Sequence, residues 1–196
     1  MRVGIISDVH GDYGALERTL KKMKKEHHVS RILCAGDLVG RGPDQNKVVA
    51  CIRRNNIATV RGNHDEWFAG ITSENRSYLK NLPLDWKGRV GNRRFYMCHG
   101  KPGNNMWGMY RDHLSDTYLN MVLKSLRTDV LITGHTHMPL YMQVEGGLLV
   151  NPGSLYTFES ARHTSQTYAV LDLHDLNFHL FESSTLGVVG AEFVDE

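Results

Sequence analysis

Five short clusters of polar residues recur along this chain, and each one follows a run of apolar residues. The clusters are Asp8-Val9-His10, Gly36-Asp37, Gly62-Asn63-His64-Asp65, His99-Gly100 and Gly134-His135-Thr136-His137. The apolar runs before them have the length and composition of short buried strands. Residues that follow parallel strands collect at one edge of a sheet, where α/β proteins place their ligands. The pattern therefore predicts an α/β fold with a polar site at that edge.

Strand and helix patterns alternate through the first third of the chain. Strands are predicted at residues 3–6, 32–35, 57–60 and 130–133. Helices are predicted at residues 13–26 with Asp12 as N-cap, after Pro43, within 66–82 and at 116–126. Hairpins are predicted around residues 91–92, 146–147 and 174–175. The alternation indicates parallel pairing with right-handed crossovers, and the later hairpins indicate a second sheet or a mixed extension of the first.

Length and composition fit one ordinary globular domain, predicted to span residues 1–196. Hydrophobic residues make up 41% of the 196 residues and charged residues 22%. The net charge of +2 comes from 23 basic and 21 acidic residues, so charge predicts neither a nucleic-acid partner nor a membrane partner. No apolar run approaches a membrane span, no secretory signal is evident, and the three cysteines lack CxxC spacing. A reducing cytoplasm is the expected location.

The residue types in the clusters are those of a metal site. Asp8 and His10 point the same way if the chain is extended, because alternate residues share a face, and His135 and His137 have the same spacing. One such pair is weak support for a site. Five clusters of charges and imidazoles, gathered and partly buried, are costly unless a metal holds them. Imidazoles with carboxylates suit manganese, iron, zinc or nickel better than calcium.

Taken in order, these motifs resemble those of the calcineurin-like metallophosphoesterase superfamily. Two further segments resemble its small bacterial and archaeal phosphodiesterase branch. They are Gly36-Asp37-Leu38-Val39-Gly40-Arg41-Gly42-Pro43-Asp44 and Asn151-Pro152-Gly153-Ser154. The match runs from the first strand to beyond residue 150. The resemblance implies a four-layer α-β-β-α sandwich, in which two mixed β-sheets lie face to face with helices outside.

The resemblance also implies two metal sites that share one carboxylate. Asp8, His10, Asp37 and His137 would hold the first divalent metal ion, and Asp37, Asn63, His99 and His135 the second, with Asp37 bridging. Manganese is the first expectation, and iron, zinc, nickel or magnesium are alternatives. A hydroxide bridging the two ions would attack phosphorus in line. His64 would protonate the leaving group as general acid, and its alternative role is a further ligand or a contact to one.

One position departs from the related serine/threonine phosphatases, whose motif reads Gly-Asp-x-Val-Asp-Arg-Gly. Gly40 stands where those enzymes carry the Asp that orients the catalytic histidine. Asp65 and Asp12 are the candidates to orient His64 instead. The motif's arginine is present as Arg41.

Substrate contacts are predicted at two places. Arg41 and Asn63 are expected to contact the substrate phosphate, Arg41 through two parallel hydrogen bonds. An exposed loop arginine is an equal alternative for Arg41. The loop around Trp107, rich in Met and aromatic residues, is either a wall of the substrate pocket or, as the better interpretation, a loop anchored in the core by Trp107.

The leading hypothesis is a dinuclear-metal phosphodiesterase acting on a small phosphoester, with a nucleotide-like substrate as one option. A phosphomonoesterase or serine/threonine protein phosphatase is the alternative, favoured by Arg41 and disfavoured by Gly40. A non-catalytic scaffold, as in the retromer subunit of this superfamily, is a third reading. It is disfavoured because all seven expected ligands and His64 are present. Oligomeric state is not readable from the sequence.

Overall fold

The computed structural model describes residues 1–157 and 165–184 and the backbone of residues 188–189. Its strands are β1 (Arg2–Ile6), β2 (Arg31–Cys34), β3 (Ala58–Thr59), β4 (Asp85–Val90), β5 (Arg93–Cys98), β6 (Val130–Ile132), β7 (Pro139–Val144), β8 (Gly147–Pro152), β9 (Thr167–Asp172), β10 (Phe178–Glu182) and β11 (Val188–Val189). Its helices are α1 (Tyr13–Lys25), α2 (Gln45–Arg54), α3 (Ser73–Lys80) and α4 (Asp116–Leu126), with short 3₁₀ turns at His64–Glu66 and Arg111–His113.

The strands form two mixed sheets. The first has the order β11-β10-β9-β1-β2-β3 and the second the order β4-β5-β6-β8-β7. In the first sheet β1 runs parallel to β2 and antiparallel to β9. In the second, β6 lies parallel between β5 and β8, and the hairpin partners β4 and β7 flank them antiparallel. The parallel strands and the later hairpins of the sequence prediction are both confirmed.

Three apolar layers hold the sheets and helices together, and successive strand residues alternate between them. Ile5 packs between the two sheets with Ile132, whereas its neighbour Ile6 packs against helices α1 and α2. Leu131 faces the other way from Ile132 and packs against Leu119 of α4. This alternation is the period of two expected of extended chain. The predicted four-layer α-β-β-α sandwich is confirmed.

Helices α1 and α4 begin where the sequence predicts. The carboxylate of Asp12 accepts the N–H of Ala15 at 2.8 Å, so Asp12 is the N-cap of α1. The hydroxyl of Ser115 accepts the N–H of Tyr118 at 3.2 Å and caps α4 in the same way.

Helix α2 begins two residues later than predicted, and the 66–82 segment contains a helix as predicted. Helix α2 begins at Gln45, two residues after Pro43, with Asp44 as its N-cap, and the backbone N–H groups of Gly42 and Asp44 donate to the loop after β1. In the 66–82 segment, helix begins only at Ser73, where Thr72 supplies the N-cap.

No helix within the described ranges is long and apolar enough to cross a membrane. Cys34, Cys51 and Cys98 are buried free thiols. Residues 158–164, 185–187 and 190–196 lie outside the described residues, and the assignment of 1–196 to one domain stays a prediction.

Candidate metal centre

The loops after β1, β2, β3, β5 and β6 bring the predicted ligands to one edge of the sandwich. Backbone hydrogen bonds join these loops in pairs. The N–H of Asp8 donates to the carbonyl of Gly36 at 2.9 Å in the first sheet, and the N–H of Gly134 donates to that of His99 at 2.8 Å in the second. The site therefore lies where the carboxyl edges of the parallel strands of both sheets meet.

Five of the seven predicted ligands have a left-handed backbone. Their φ angles lie between 47° and 67°, and they are Asp8, His10, Asp37, His135 and His137. Only four other non-glycine residues of the described ranges adopt positive φ. Such conformations cost on the order of 1–3 kcal/mol each, persist only where the surroundings impose them, and cluster at functional sites. The fold thus holds these side chains in directions that relaxed strand ends would not give them.

The first group of ligand atoms comes from Asp8, His10 and His137. Asp8 Oδ1 lies 3.2 Å from His137 Nε2 and 3.8 Å from His10 Nε2, and the two imidazole nitrogens are 3.1 Å apart. His10 Nδ1 lies 3.0 Å from the carbonyl oxygen of Val39. A proton on Nδ1 satisfies that carbonyl, so the lone pair of His10 Nε2 faces the group.

The second group comes from Asn63, His99 and His135. Asn63 Oδ1 lies 3.0 Å from both His99 Nε2 and His135 Nδ1. His99 Nδ1 is 2.8 Å from the carbonyl oxygen of Ala35, which leaves Nε2 to face the group. Asp37 Oδ2 joins the two groups, since it lies 3.3 Å from His99 Nε2 and 3.6 Å from the Nε2 of His10.

These residues fit divalent metal ions. Asp8 Oδ2 accepts the Ser7 hydroxyl at 2.6 Å and the N–H of His135 at 3.1 Å, whereas its Oδ1 is buried and has no hydrogen bond. A buried carboxylate oxygen without a hydrogen bond is costly. A cation among Oδ1 and the two facing imidazole nitrogens removes that cost, and mixed carboxylate, amide and imidazole donors suit first-row transition metals.

Burial and charge oppose each other at the site. Burial raises the pKa of Asp8, but the imidazoles of His137, His99 and His10 outweigh it and lower the pKa. Burial lowers the pKa of His10 to about 4, despite the Asp37 and Asp8 carboxylates. Burial also acts to lower the pKa of His99, yet the same carboxylates raise it to about 9. The two buried carboxylates thus remain ionised and attract positive charge.

His64 stands beside the two groups. Its backbone N–H donates to Asp37 Oδ1 at 2.8 Å. Its Nδ1 is buried without a hydrogen bond and faces Gly40 so closely that a Cβ at residue 40 would lie 2.7 Å from it. The His64 ring meets that of His10 edge to face, with centroids 5.0 Å apart. Because Nδ1 is enclosed, Nε2 is the nitrogen that can reach a substrate.

Neither predicted orienting carboxylate contacts His64, so that prediction is wrong. Asp65 is buried and accepts four backbone N–H groups, from Asp37 at 2.9 Å, Leu38 at 2.7 Å, Val39 at 3.3 Å and Gly62 at 2.8 Å. It clamps together the two loops that carry Asp37 and Asn63. Asp12 caps α1, and its Oδ2 accepts Gln166 Nε2 at 2.8 Å.

Two supporting serines and one asparagine were not assigned a role from the sequence. Ser7 holds Asp8 as described, and Ser154 Oγ donates to the Asp8 carbonyl at 2.8 Å. Asn151 Nδ2 donates to the Gly134 carbonyl at 2.8 Å, next to the loop that bears His135 and His137. Asn151 and Ser154 belong to the motif already noted after residue 150. That motif could have indicated these residues from the sequence alone. In the structure its side chains hold the ligand loops in place.

The loop around Trp107 borders the site but is anchored differently from the prediction. Trp107 is 66% exposed, so its predicted burial in the core is wrong. Met109 is buried instead and packs in the α4 layer. Gly108 lies against the ligand loop, where an added Cβ would meet Thr136 at 2.5 Å. Arg41 is exposed, which agrees with the alternative of an exposed loop arginine, and its positive charge acts to lower the pKa of His64.

Known proteins with similar sequences include a phosphodiesterase and a protein phosphatase. The chain is 28% identical over 183 residues to the uncharacterized protein MJ0912 of Methanocaldococcus jannaschii, covering 82% of this chain and 72% of that one. It is 27% identical over 161 residues to phosphodiesterase MJ0936 of the same organism, covering 78% and 83%. A shorter match, 29% over 77 residues, is to serine/threonine-protein phosphatase 1 of Salmonella typhimurium and covers 39% of this chain and 36% of that protein.

Solved structures share the fold over nearly the whole chain. A metallophosphoesterase from Sphaerobacter thermophilus matches with a TM-score of 0.73 and 26% identity, covering 93% of this chain and 89% of that one. The hypothetical protein PH1004 from Pyrococcus horikoshii matches with a TM-score of 0.81 and 19% identity, covering 92% and 87%. The calcineurin-like phosphoesterase superfamily domain matches residues 1–176. The chain therefore belongs to the calcineurin-like phosphoesterase superfamily, a family of metal-dependent phosphoric ester hydrolases.

Proposed function

We propose that this protein is a dinuclear-metal phosphodiesterase that uses His64 as general acid. The observation that carries the proposal is the position of Asp37 Oδ2, 3.6 Å from His10 Nε2 in one ligand group and 3.3 Å from His99 Nε2 in the other. A carboxylate facing both groups suits two ions held close enough to act on one phosphoryl group. The similarity to phosphodiesterase MJ0936 over most of both chains supports diester chemistry.

The proposed ligands of the first ion are Asp8, His10, Asp37 and His137, and those of the second are Asp37, Asn63, His99 and His135. Asp8 also lies near His99, but its Oδ1 is 3.2 Å from His137 Nε2, which favours the first group. When bound, two divalent ions supply a nucleophilic water at neutral pH and neutralise the phosphoryl oxygens. Manganese remains the first expectation, with iron, zinc, nickel or magnesium as alternatives.

The chain's own residues perform the remaining tasks. Attack by water breaks the bond between phosphorus and the leaving oxygen, and that oxygen then needs a proton. His64 Nε2 is the proposed donor, since Gly40 encloses Nδ1 and the backbone bond to Asp37 fixes the residue beside the centre. Arg41 and Asn63 are the proposed contacts to the non-bridging phosphate oxygens, Arg41 because a guanidinium pairs with them bidentately.

A phosphomonoesterase is the second candidate. Arg41 and the partial match to the Salmonella phosphatase favour it. Gly40 opposes it, because His64 Nδ1 faces a glycine instead of an orienting carboxylate. A small, nucleotide-like phosphoester fits the 39% identity, over 89 residues, to the symmetrical bis(5'-nucleosyl)-tetraphosphatase of Baumannia cicadellinicola, although the match covers only 31% of that protein. Three buried free thiols support a reducing cytoplasmic location.

The test compares hydrolysis of bis(p-nitrophenyl) phosphate and p-nitrophenyl phosphate, with added manganese or nickel and after chelation. We expect the diester to be preferred, the activity to vanish with a strong chelator, and metal to restore it. Asp37→Asn should abolish turnover. The matched control is Asp44→Asn, whose carboxylate contacts the exposed Lys47, and it should be unaffected. Preference for the monoester supports the second candidate, activity indifferent to chelation refutes the metal mechanism, and a metal-loaded protein without any turnover indicates a scaffold.

A further inference from the structure

Trp67 borders the metal centre on the side of His64. It directly follows the short His64–Glu66 turn, and its N–H donates to the His64 carbonyl at 3.0 Å. The two rings pack edge to face, with centroids 4.0 Å apart and planes inclined by 63°. The indole is therefore fixed with respect to the imidazole that the proposed function places at the leaving group.

The fold does not need Trp67 as a core residue, because its neighbour Phe68 anchors this segment. Phe68 packs against the apolar layer that joins the first sheet to helices α1 and α2, and the side chains of Arg76 and Lys80 lie over its ring. Trp67 stays 54% exposed. A single exposed apolar side chain is ordinary on a protein surface. This one packs against the ring of His64, so its exposed surface lies next to the residue proposed to protonate the leaving oxygen.

We propose that Trp67 is a stacking surface for an aromatic ring carried by the leaving group. This inference rests on the proposed function. The substrate is then a phosphodiester whose released alcohol bears an aryl or nucleobase ring. The leaving oxygen has to come within hydrogen-bond reach of His64 Nε2. The ring attached to that oxygen then meets the indole, which is large, flat and already held in place. Stacking of this kind accepts any aromatic face.

The kinetic test uses two diesters that keep methyl as the retained group and differ in the leaving group, methyl phenyl phosphate and methyl trifluoroethyl phosphate. Methyl phosphate release is followed by phosphorus NMR with the manganese-loaded enzyme. We expect Trp67→Leu to lower kcat/KM about tenfold for the phenyl ester and less than about twofold for the alkyl ester. Trp67→Phe, which keeps an aromatic face, should retain most of the phenyl preference. Tyr118→Leu, which changes an exposed aromatic side chain on α4, should leave the ratio between the esters unchanged.

A binding measurement separates stacking from chemistry. Phenylphosphonate and methylphosphonate cannot be hydrolysed, and calorimetry gives their Kd values directly. Wild type should bind phenylphosphonate about tenfold more tightly, and Trp67→Leu should bind the two about equally. An equal loss of kcat/KM for both esters would show that Trp67 only positions His64, and an unchanged kcat/KM for both would show that the ring lies elsewhere. Either result overturns the inference and leaves the phosphodiesterase proposal standing. Turnover of neither ester by wild type refutes both.

Discussion

Replacing Asp65 by Asn tests whether one buried carboxylate clamps the loops that carry Asp37 and Asn63. In the native protein each carboxylate oxygen accepts two backbone N–H groups. Asn offers one oxygen and one NH₂ group, so in either orientation two N–H donors face another donor. Each buried N–H without an acceptor costs about 1–3 kcal/mol, which gives about 2–6 kcal/mol in total.

The ionised carboxylate is the form that these contacts require. Burial and the Asp37 carboxylate raise the pKa of Asp65 to about 7, against the N–H groups of Gly62 and Leu38. A proton on either oxygen would point at an N–H donor. The measurement is therefore made at about pH 8, above that pKa, and with a chelator present so that metal binding does not mask the change.

Thermal unfolding of Asp65→Asn should show a Tm lower by about 5–20 °C, since 1 kcal/mol corresponds to about 2–4 °C for a chain of this size. Asp12→Asn is the matched control. Asn caps a helix as well as Asp does, and the Gln166 amide can turn to meet it, so the control should lose less than about 1 kcal/mol. Similar small losses in both variants would refute the clamp.

Three further changes have defined outcomes. Gly40→Ala places a Cβ 2.7 Å from His64 Nδ1 at a backbone φ of +112°, which should displace the imidazole. We expect kcat for an alkyl diester to fall about 100-fold while the metal content stays unchanged. A normal kcat would contradict the acid role of His64. Arg41→Ala should raise KM about tenfold, and unchanged kcat and KM would exclude phosphate binding. Asp129→Ala removes the acceptor of hydrogen bonds from the Arg94 guanidinium and backbone N–H. Thermal unfolding at neutral pH should show a free energy of unfolding lower by about 1 kcal/mol. Because Arg94 lowers the pKa of Asp129 in the folded protein, the difference in stability between variant and wild type should shrink below about pH 4. A stability difference that does not change with pH would refute the pairing.

The positions of the ligand clusters could be predicted because they depend only on chain order and strand ends. Asp8, Asp37, Asn63 and His99 each follow a strand, and parallel strands bring such positions together whatever the loops do. Helix α4 and the hairpins were equally local, since caps, turns and periodicity specify them. In the 66–82 segment the predicted helix is present, but its start at Ser73 depends on the Thr72 cap, and Trp67 and Phe68 precede it in the loop beside the site.

The side-chain partners at the site could not be predicted, because they depend on how separate loops approach one another. Gly40 was visible as a departure from a motif, but only the fold shows that it lies against His64 Nδ1. Asp65 was expected to face its neighbour in sequence, yet it satisfies N–H groups of a loop 26 to 28 residues away. Met109, and not the larger Trp107, anchors its loop for the same reason, since loop sequence does not specify which side chain faces the core.

We propose that two metal ions share Asp37 and together support hydrolysis of a phosphodiester. It is tested most directly by titrating chelator-treated protein with manganese, following heat and bis(p-nitrophenyl) phosphate turnover on the same samples. We predict two equivalents per chain, with turnover appearing as the second site fills, and for Asp37→Ala loss of both high-affinity sites and of turnover. Saturation at one equivalent with full turnover, or an Asp37→Ala variant that still binds two equivalents, would refute a shared dinuclear centre.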